Sequence, residues 1–303
     1  MAFLTILLGL LPSFLMVILG GVIRKRLSEN AWQGLDRLNF EILFPALIVV
    51  AASQRPIAIA DVLTIGPAIW AILTAGLLIG WLARPFGPER FLDFAGSWQT
   101  AWRFNTAVAF VAITTISKGG PGEMAVAVGM AIPVANIFAV TALSRGENLG
   151  VVQTLKKVAS NPFFIASVSG VAVGLSGVRI PVVFLAPLEM LAAAAIPVAL
   201  ISLGATMNWR ALARLDRFSG IICATKLVAL LLLVFLTCMA LGFSGPIPQV
   251  LVLFAALPTA SASHVLAGGF GADRELSATL VAQITLLSAV TLPLWIGVIE
   301  YGL

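Results

Sequence analysis

Two short polar runs interrupt a chain that is otherwise almost wholly apolar: Asn105-Thr106 and, 153 positions on, Pro258-Thr259-Ala260-Ser261-Ala262-Ser263-His264. Proline removes a backbone donor and leaves a carbonyl without its helical partner. Asn, Thr and Ser add hydrogen-bonding side chains without fixed charge. A helix that restarts after such a break presents free N–H groups and a partial positive charge, which suits a small carboxylate. The candidate binding residues are therefore Asn105, Thr106, Pro258, Thr259, Ser261 and Ser263. The same residue types also hold helices together in lipid. For Ser261 or Ser263 taken singly that packing role is the plainer reading, whereas the doubled cluster around Asn105 and Pro258 points to a site.

Six further residues are candidates for coupling or support, each with an ordinary alternative. His264 is the only histidine; its side chain titrates near neutral pH and can relay a proton, or it packs between helices. Glu189 sits inside an apolar segment, where a carboxylate is costly unless functional, or else it lies near the outer surface. Lys226 can pair with Glu189, neutralise a substrate or extend its stem to the interface. Arg103, like Glu41, falls near a segment end, where interfacial anchoring is the default. Asn136 and Gln283 are either partners of the polar runs or helix-packing residues. One histidine and no cysteine cluster give no basis for a transition-metal site, and no cofactor is expected. The sequence has no His-Glu-x-x-His pair, no Gly-x-Ser-x-Gly elbow and no P-loop, so neither enzyme chemistry nor direct ATP drive is expected. Cys223 and Cys238 lie about four turns apart on one expected helix, beyond disulfide reach.

The elements that position these residues follow from composition. Of 303 residues 60% are hydrophobic and only 10% charged, and the mean hydropathy is +1.07; soluble domains carry about a quarter charged residues. Apolar windows predict membrane spans near 3–23, 36–53, 62–82, 98–116, 124–143, 161–178, 182–206, 218–242, 247–267 and 276–299. The first lacks a preceding basic region and reads as a retained span, since Arg24-Lys25-Arg26 follow it. With the N-terminus outside, this partition puts 14 Lys and Arg on the cytoplasmic side and only Arg55, Lys118 and Arg179 outside, with Lys226 within a span. Both termini are thus expected to face outward. The basic residues are scattered among loops, so topology explains them better than nucleic-acid binding does.

An internal repeat is visible at a nearly constant offset. Pro12-Ser13-Phe14 followed by Gly20 resembles Pro162-Phe163-Phe164 followed by Gly170; Pro45-Ala46-Leu47-Ile48 resembles Pro197-Val198-Ala199-Leu200-Ile201; and the Asn105 run matches the Pro258 run. Five spans per copy is an odd number, so the copies enter from opposite sides as an inverted repeat, an arrangement of many secondary transporters. The expected domains are a first repeat over 1–143, a cytoplasmic linker over 144–160 and an inverted second repeat over 161–303.

Arg103-Phe104-Asn105-Thr106, Asn161-Pro162, the stretch from Ile196-Pro197 through Leu203-Gly204, Ala256-Leu257-Pro258-Thr259-Ala260 and Thr285-Leu286-Leu287-Ser288 together resemble the auxin efflux carrier family over essentially the whole chain. The resemblance implies an all-α polytopic membrane protein of ten helices, with broken helices crossing at mid-membrane, similar to sodium/proton antiporters and bile-acid symporters. It implies organic-acid substrates: auxin in plants, malate or malonate in bacteria. The setting implied is a bacterial inner membrane, with the lipid bilayer and a small organic acid as partners and no nucleic acid. Proton or sodium coupling and a homodimer are both compatible with it. The long cytoplasmic loop of plant members is replaced by the short linker. Ala112 stands where family members often have a proline, and Ser263 where plant members have a second one, so the break in the fourth span is expected to be less secure than that in the ninth. A cation-coupled symporter or antiporter with another substrate and a non-transporting membrane receptor are the alternatives; the receptor predicts an unbroken ninth span.

Overall fold

The structure is a computed structural model that describes residues 2–53, 59–113, 116, 121–146, 151–206, 209, 210, 212 and 215–302. Arg55 and Lys118, assigned above to the outer side, and Arg214, one of the 14 basic residues counted on the cytoplasmic side, lie outside the described residues, as do 147–150 of the expected linker. Among the described residues the fold is all helix and turn. In chain order the helices are α1 (Ala2–Ile23), α2 (Glu29–Leu38), α3 (Phe44–Ser53), α4 (Ile59–Gly80), α5 (Phe91–Trp98), α6 (Thr106–Ile113), α7 (Pro121–Gly146) and α8 (Val151–Ala159). They continue with α9 (Pro162–Ser176), α10 (Val182–Thr206), α11 (Arg217–Ala224), α12 (Leu230–Ala240), α13 (Pro246–Ala256), α14 (Ala262–Gly269) and α15 (Arg274–Gly302). A turn of π-helix joins α2 to α3 (Asn39–Leu43) and another joins α11 to α12 (Thr225–Ala229), while a tighter 3-10 turn follows α5 (Gln99–Ala101).

Among the described residues five stretches are long and apolar enough to cross a membrane: Leu63–Phe86, Val126–Gly146, Val182–Thr206, Arg217–Ala240 and Arg274–Ile299. α9 and α13 are apolar but shorter. The expected apolar segments fall on helices, and the two that carry the polar runs are interrupted midway. Local chemistry sets several boundaries. Asn161 caps α9, its Oδ1 accepting the N–H groups of Phe163 (3.0 Å) and Phe164 (3.4 Å), and Pro162 occupies the first position, where a missing donor does no harm. That helix stops at Gly177, whose φ of +67° suits glycine. Asp216 caps α11 by accepting from the Ser219 N–H at 2.7 Å.

Two groups of helices share the core. In the first, α1 packs on α10, and α3 packs on both α9 and α10. Gly20 of α1 lies against the Ile201 backbone and Gly204 of α10 against the Val17 backbone, leaving no room for a Cβ at either. Small residues let helix backbones approach in this way where lipid removes the hydrophobic drive. In the second group, α4 and α5 pack on α7, α12 on α13, and α13 and α14 on α15. Indole donors stitch it together: Trp70 to the Met130 carbonyl (3.0 Å), Trp98 to that of Leu77 (3.0 Å) and Trp102 to that of Ala135 (3.4 Å). The groups meet where α1 and α10 touch α15 and where α9 touches α7.

Candidate functional site

The first interruption needs no proline. Helix geometry ends at Ala101, residues 102–105 are non-helical, and α6 begins at Thr106. Asn105 makes the stop: its N–H donates to the Pro258 carbonyl at 2.8 Å instead of to its own helix, and its Oδ1 accepts from the Val108 N–H at 3.2 Å as a cap for α6. Ala112 lies inside α6, so the expected weakness of this break is not observed. The second interruption follows from Pro258. The residue before a proline is pushed out of helical geometry, and Leu257 is extended at φ −62°, ψ 142°. Residues 257–261 then lead into α14.

The interruptions cross in contact. Beyond the Asn105–Pro258 bond, the Phe104 and Phe254 rings lie 4.6 Å apart. Gln99 Nε2 donates to the carbonyls of Ser263 (3.1 Å) and Gly96 (2.9 Å), which turns its Oε1 toward Arg103, whose Nη1 donates to it at 3.2 Å. Arg103 is 5% exposed, its guanidinium 5.9 Å from the Phe163 ring centre. It is therefore buried at the crossing and not an interfacial anchor; its distance from the segment end, read along the sequence, did not show that the chain turns inward there. Glu41 does keep to the surface, paired with Arg37 at 2.8 Å.

Asn105 and Ser261 each line two cavities. The smaller, about 80 Å³, is bounded also by Arg103, Thr106, Asn136 and Ala260 and walled by Phe44, Phe163 and Ile196. The other, about 170 Å³, lies toward α1, α10 and α15, against Val17, Leu203 and Thr285. Thr259 and Ser263 are fully buried and their hydroxyls have no hydrogen-bond partner among the described residues; they line neither cavity. His264 is buried beside the second break, its Nδ1 donating to the Ser261 carbonyl at 2.7 Å while Nε2 has no partner among the described residues. Gln283 is buried in α15 and lines neither cavity.

Lys226 and Glu189 likewise line neither cavity. Lys226 is buried in the π turn between α11 and α12, which packs on α13 and on the turn Gln99–Ala101, so it does not reach the interface. No hydrogen bond or ion pair joins it to a described residue. Glu189 is exposed on α10 and does not pair with it. Sequence shows how far along a helix a residue lies but not which face it occupies, and α10 is buried over only 17% of its apolar window.

One polar cluster has no sequence signal, because its members lie far apart in the chain. Asp36 on α2, 6% exposed, is ion-paired with Arg274 Nε at the start of α15. Ser202 on α10 donates to Asp36 Oδ1 and accepts from Arg274 Nη2 (2.9 Å), and Glu29 lies 3.4 Å from Arg274 Nη1. Asp36 and Arg274 line a third cavity of about 620 Å³ with Gln33, Arg37 and Glu41.

Comparison with known proteins gives concordant matches. The family described as Membrane transport protein matches residues 148–296. A protein of Rhizobium meliloti (strain 1021) named "Putative malonate transporter" is 28% identical over 312 residues, covering 93% of this chain and 92% of its own. A protein of Methanothermobacter thermautotrophicus named "Uncharacterized transporter" is 27% identical over 293 residues, covering 93% of this chain and 95% of its own.

Proposed function

We propose that this chain, which belongs to the auxin efflux carrier family of membrane transport proteins and is a multi-pass transporter, not an enzyme, carries small organic anions by alternating access, with the substrate held where the two interrupted helices cross. The observation that carries this reading is the 2.8 Å bond from the Asn105 N–H to the Pro258 carbonyl. Non-helical backbone within apolar helices is tolerated only inside protein or beside a water-filled cavity, and two cavities adjoin the bond. Asn105, Thr106 and Ser261 supply side-chain hydrogen bonds to the anion; Pro258 opens the backbone; Thr259, Ser263 and His264 hold the second break from behind. Asn136 closes the smaller cavity.

In this reading the chain forms ten spans as two inverted repeats, 1–143 and 161–303, joined by a linker over 144–160, with both termini outside a bacterial inner membrane. The repeat offset and the basic-residue asymmetry support that arrangement. The name of the Rhizobium relative makes malonate the first substrate to test. Purified protein in liposomes is supplied with labelled malonate, malate or indole acetate, with and without proton or sodium gradients. At least one acid is taken up, and Asn105→Ala and Pro258→Ala each reduce its uptake about tenfold or more, the first by removing the side-chain amide at the start of α6 and the second by restoring a backbone donor and relaxing the break at Leu257. Parental uptake in both variants removes the crossing from the mechanism.

A further inference from the structure

We infer that Arg103 is the fixed counter-charge for the carried anion: an ionised carboxylate lies against its guanidinium in the smaller cavity, and this contact makes the site select acids over their neutral amides. The inference rests on the crossing being the substrate site and adds the residue that sets its charge preference.

Among the described residues that line the cavity Arg103 is the one that carries a charge, and the others are apolar or neutral polar. It is 5% exposed, and no carboxylate lies within ion-pair distance of it among the described residues. A buried cation without a counter-ion is strongly unfavourable, and where one occurs among apolar helices it marks a ligand or ion pathway. The guanidinium has five donors, and among the described residues only Nη1 makes a hydrogen bond, to Gln99 Oε1. The remaining donors form a planar fork of the kind that grips carboxylates through two parallel bonds.

The fork is also held in place. Gln99 is fixed by two bonds of its own, one to Ser263 across the crossing. On the other side the guanidinium rests over Phe163 of α9. Arg103 thus bridges the two groups of helices, and an anion bound to it neutralises the one formal charge on the lining before the site changes its exposure. A neutral amide of the same shape leaves that charge uncompensated.

The test measures binding calorimetrically to the detergent-purified full chain, using butyrate, malonate and butyramide as probes. The parent binds one or both acids at least about tenfold more tightly than butyramide, a ratio within the reach of one charge-assisted pair. Arg103→Gln brings acid and amide within about threefold of each other, and Arg103→Met serves the same purpose where the Gln variant does not fold. Arg103→Lys keeps the preference with weaker acid binding, because the charge remains and the fork is lost. Retention of the acid preference in either neutral variant, or its loss in Arg103→Lys, overturns the inference. If Asn105→Ala abolishes acid binding while Arg103→Gln retains the preference, the site stands and the role of Arg103 falls. If the parent binds neither acid, the anion site itself falls, and this inference with it.

Discussion

Asp36 receives two partners from distant parts of the chain, the Arg274 guanidinium and the Ser202 hydroxyl, in a setting that leaves it 6% exposed. Removing one member of a buried ion pair strands the other charge, an effect of about 3–5 kcal/mol. Asp36→Asn is therefore expected to lower the thermal unfolding temperature in detergent markedly, while Arg37→Gln, at an exposed pair, leaves it nearly unchanged. Equal shifts in the two variants would contradict this. Residue types were legible where they clashed with their surroundings. Asn105 and Pro258 stand out in sequence as polar or helix-breaking groups in apolar segments, and the structure brings them into direct contact. Arg103 was misplaced because an arginine near the end of an apolar window looks interfacial until the break after Ala101 turns the chain inward. Glu189 and Lys226 show the complementary failure: their depth along a helix is plain, but burial depends on which neighbours cover each face, and that is fixed by packing between distant segments.

The interrupted helices differ in how they are broken. At Pro258 the break is covalent in origin, written into the ring and its effect on Leu257. At Asn105 it is tertiary, because the N–H that would continue the helix is taken by a carbonyl of the opposing segment. The second kind has no sequence signature of its own, which is why Ala112 in place of a proline made this break look doubtful. Helix extents were mostly readable from apolar windows and caps such as Asn161. The π turns and the close approach of α1 to α10 were not, since both depend on what packs against the helix. That approach makes a specific expectation. Gly204→Leu places a side chain where the Val17 backbone lies, and is expected to give protein that elutes as aggregate or unfolds at a much lower temperature. Gly34→Ala, on a helix face with open space around it, elutes and melts like the parent. Normal behaviour of Gly204→Leu would mean that α1 and α10 are not in close contact.

Across the whole molecule, the crossing lies where the two groups of helices come together, and Arg103, with Gln99 on one side and Phe163 on the other, touches both. The proposed transport cycle requires water and substrate to reach this point from each face in turn. Ala260 lines the smaller cavity, and the two native cysteines are buried, so Ala260→Cys in a Cys223→Ala, Cys238→Ala background reports on access at the crossing. The measurement is its reaction with a small, charged methanethiosulfonate reagent in membrane vesicles of either orientation, with and without malonate or whichever acid the uptake assay identifies. Modification from both faces, slowed by the transported acid, is the predicted result; a cysteine that stays unreactive from both faces, or whose rate ignores that acid, contradicts a substrate site at the crossing.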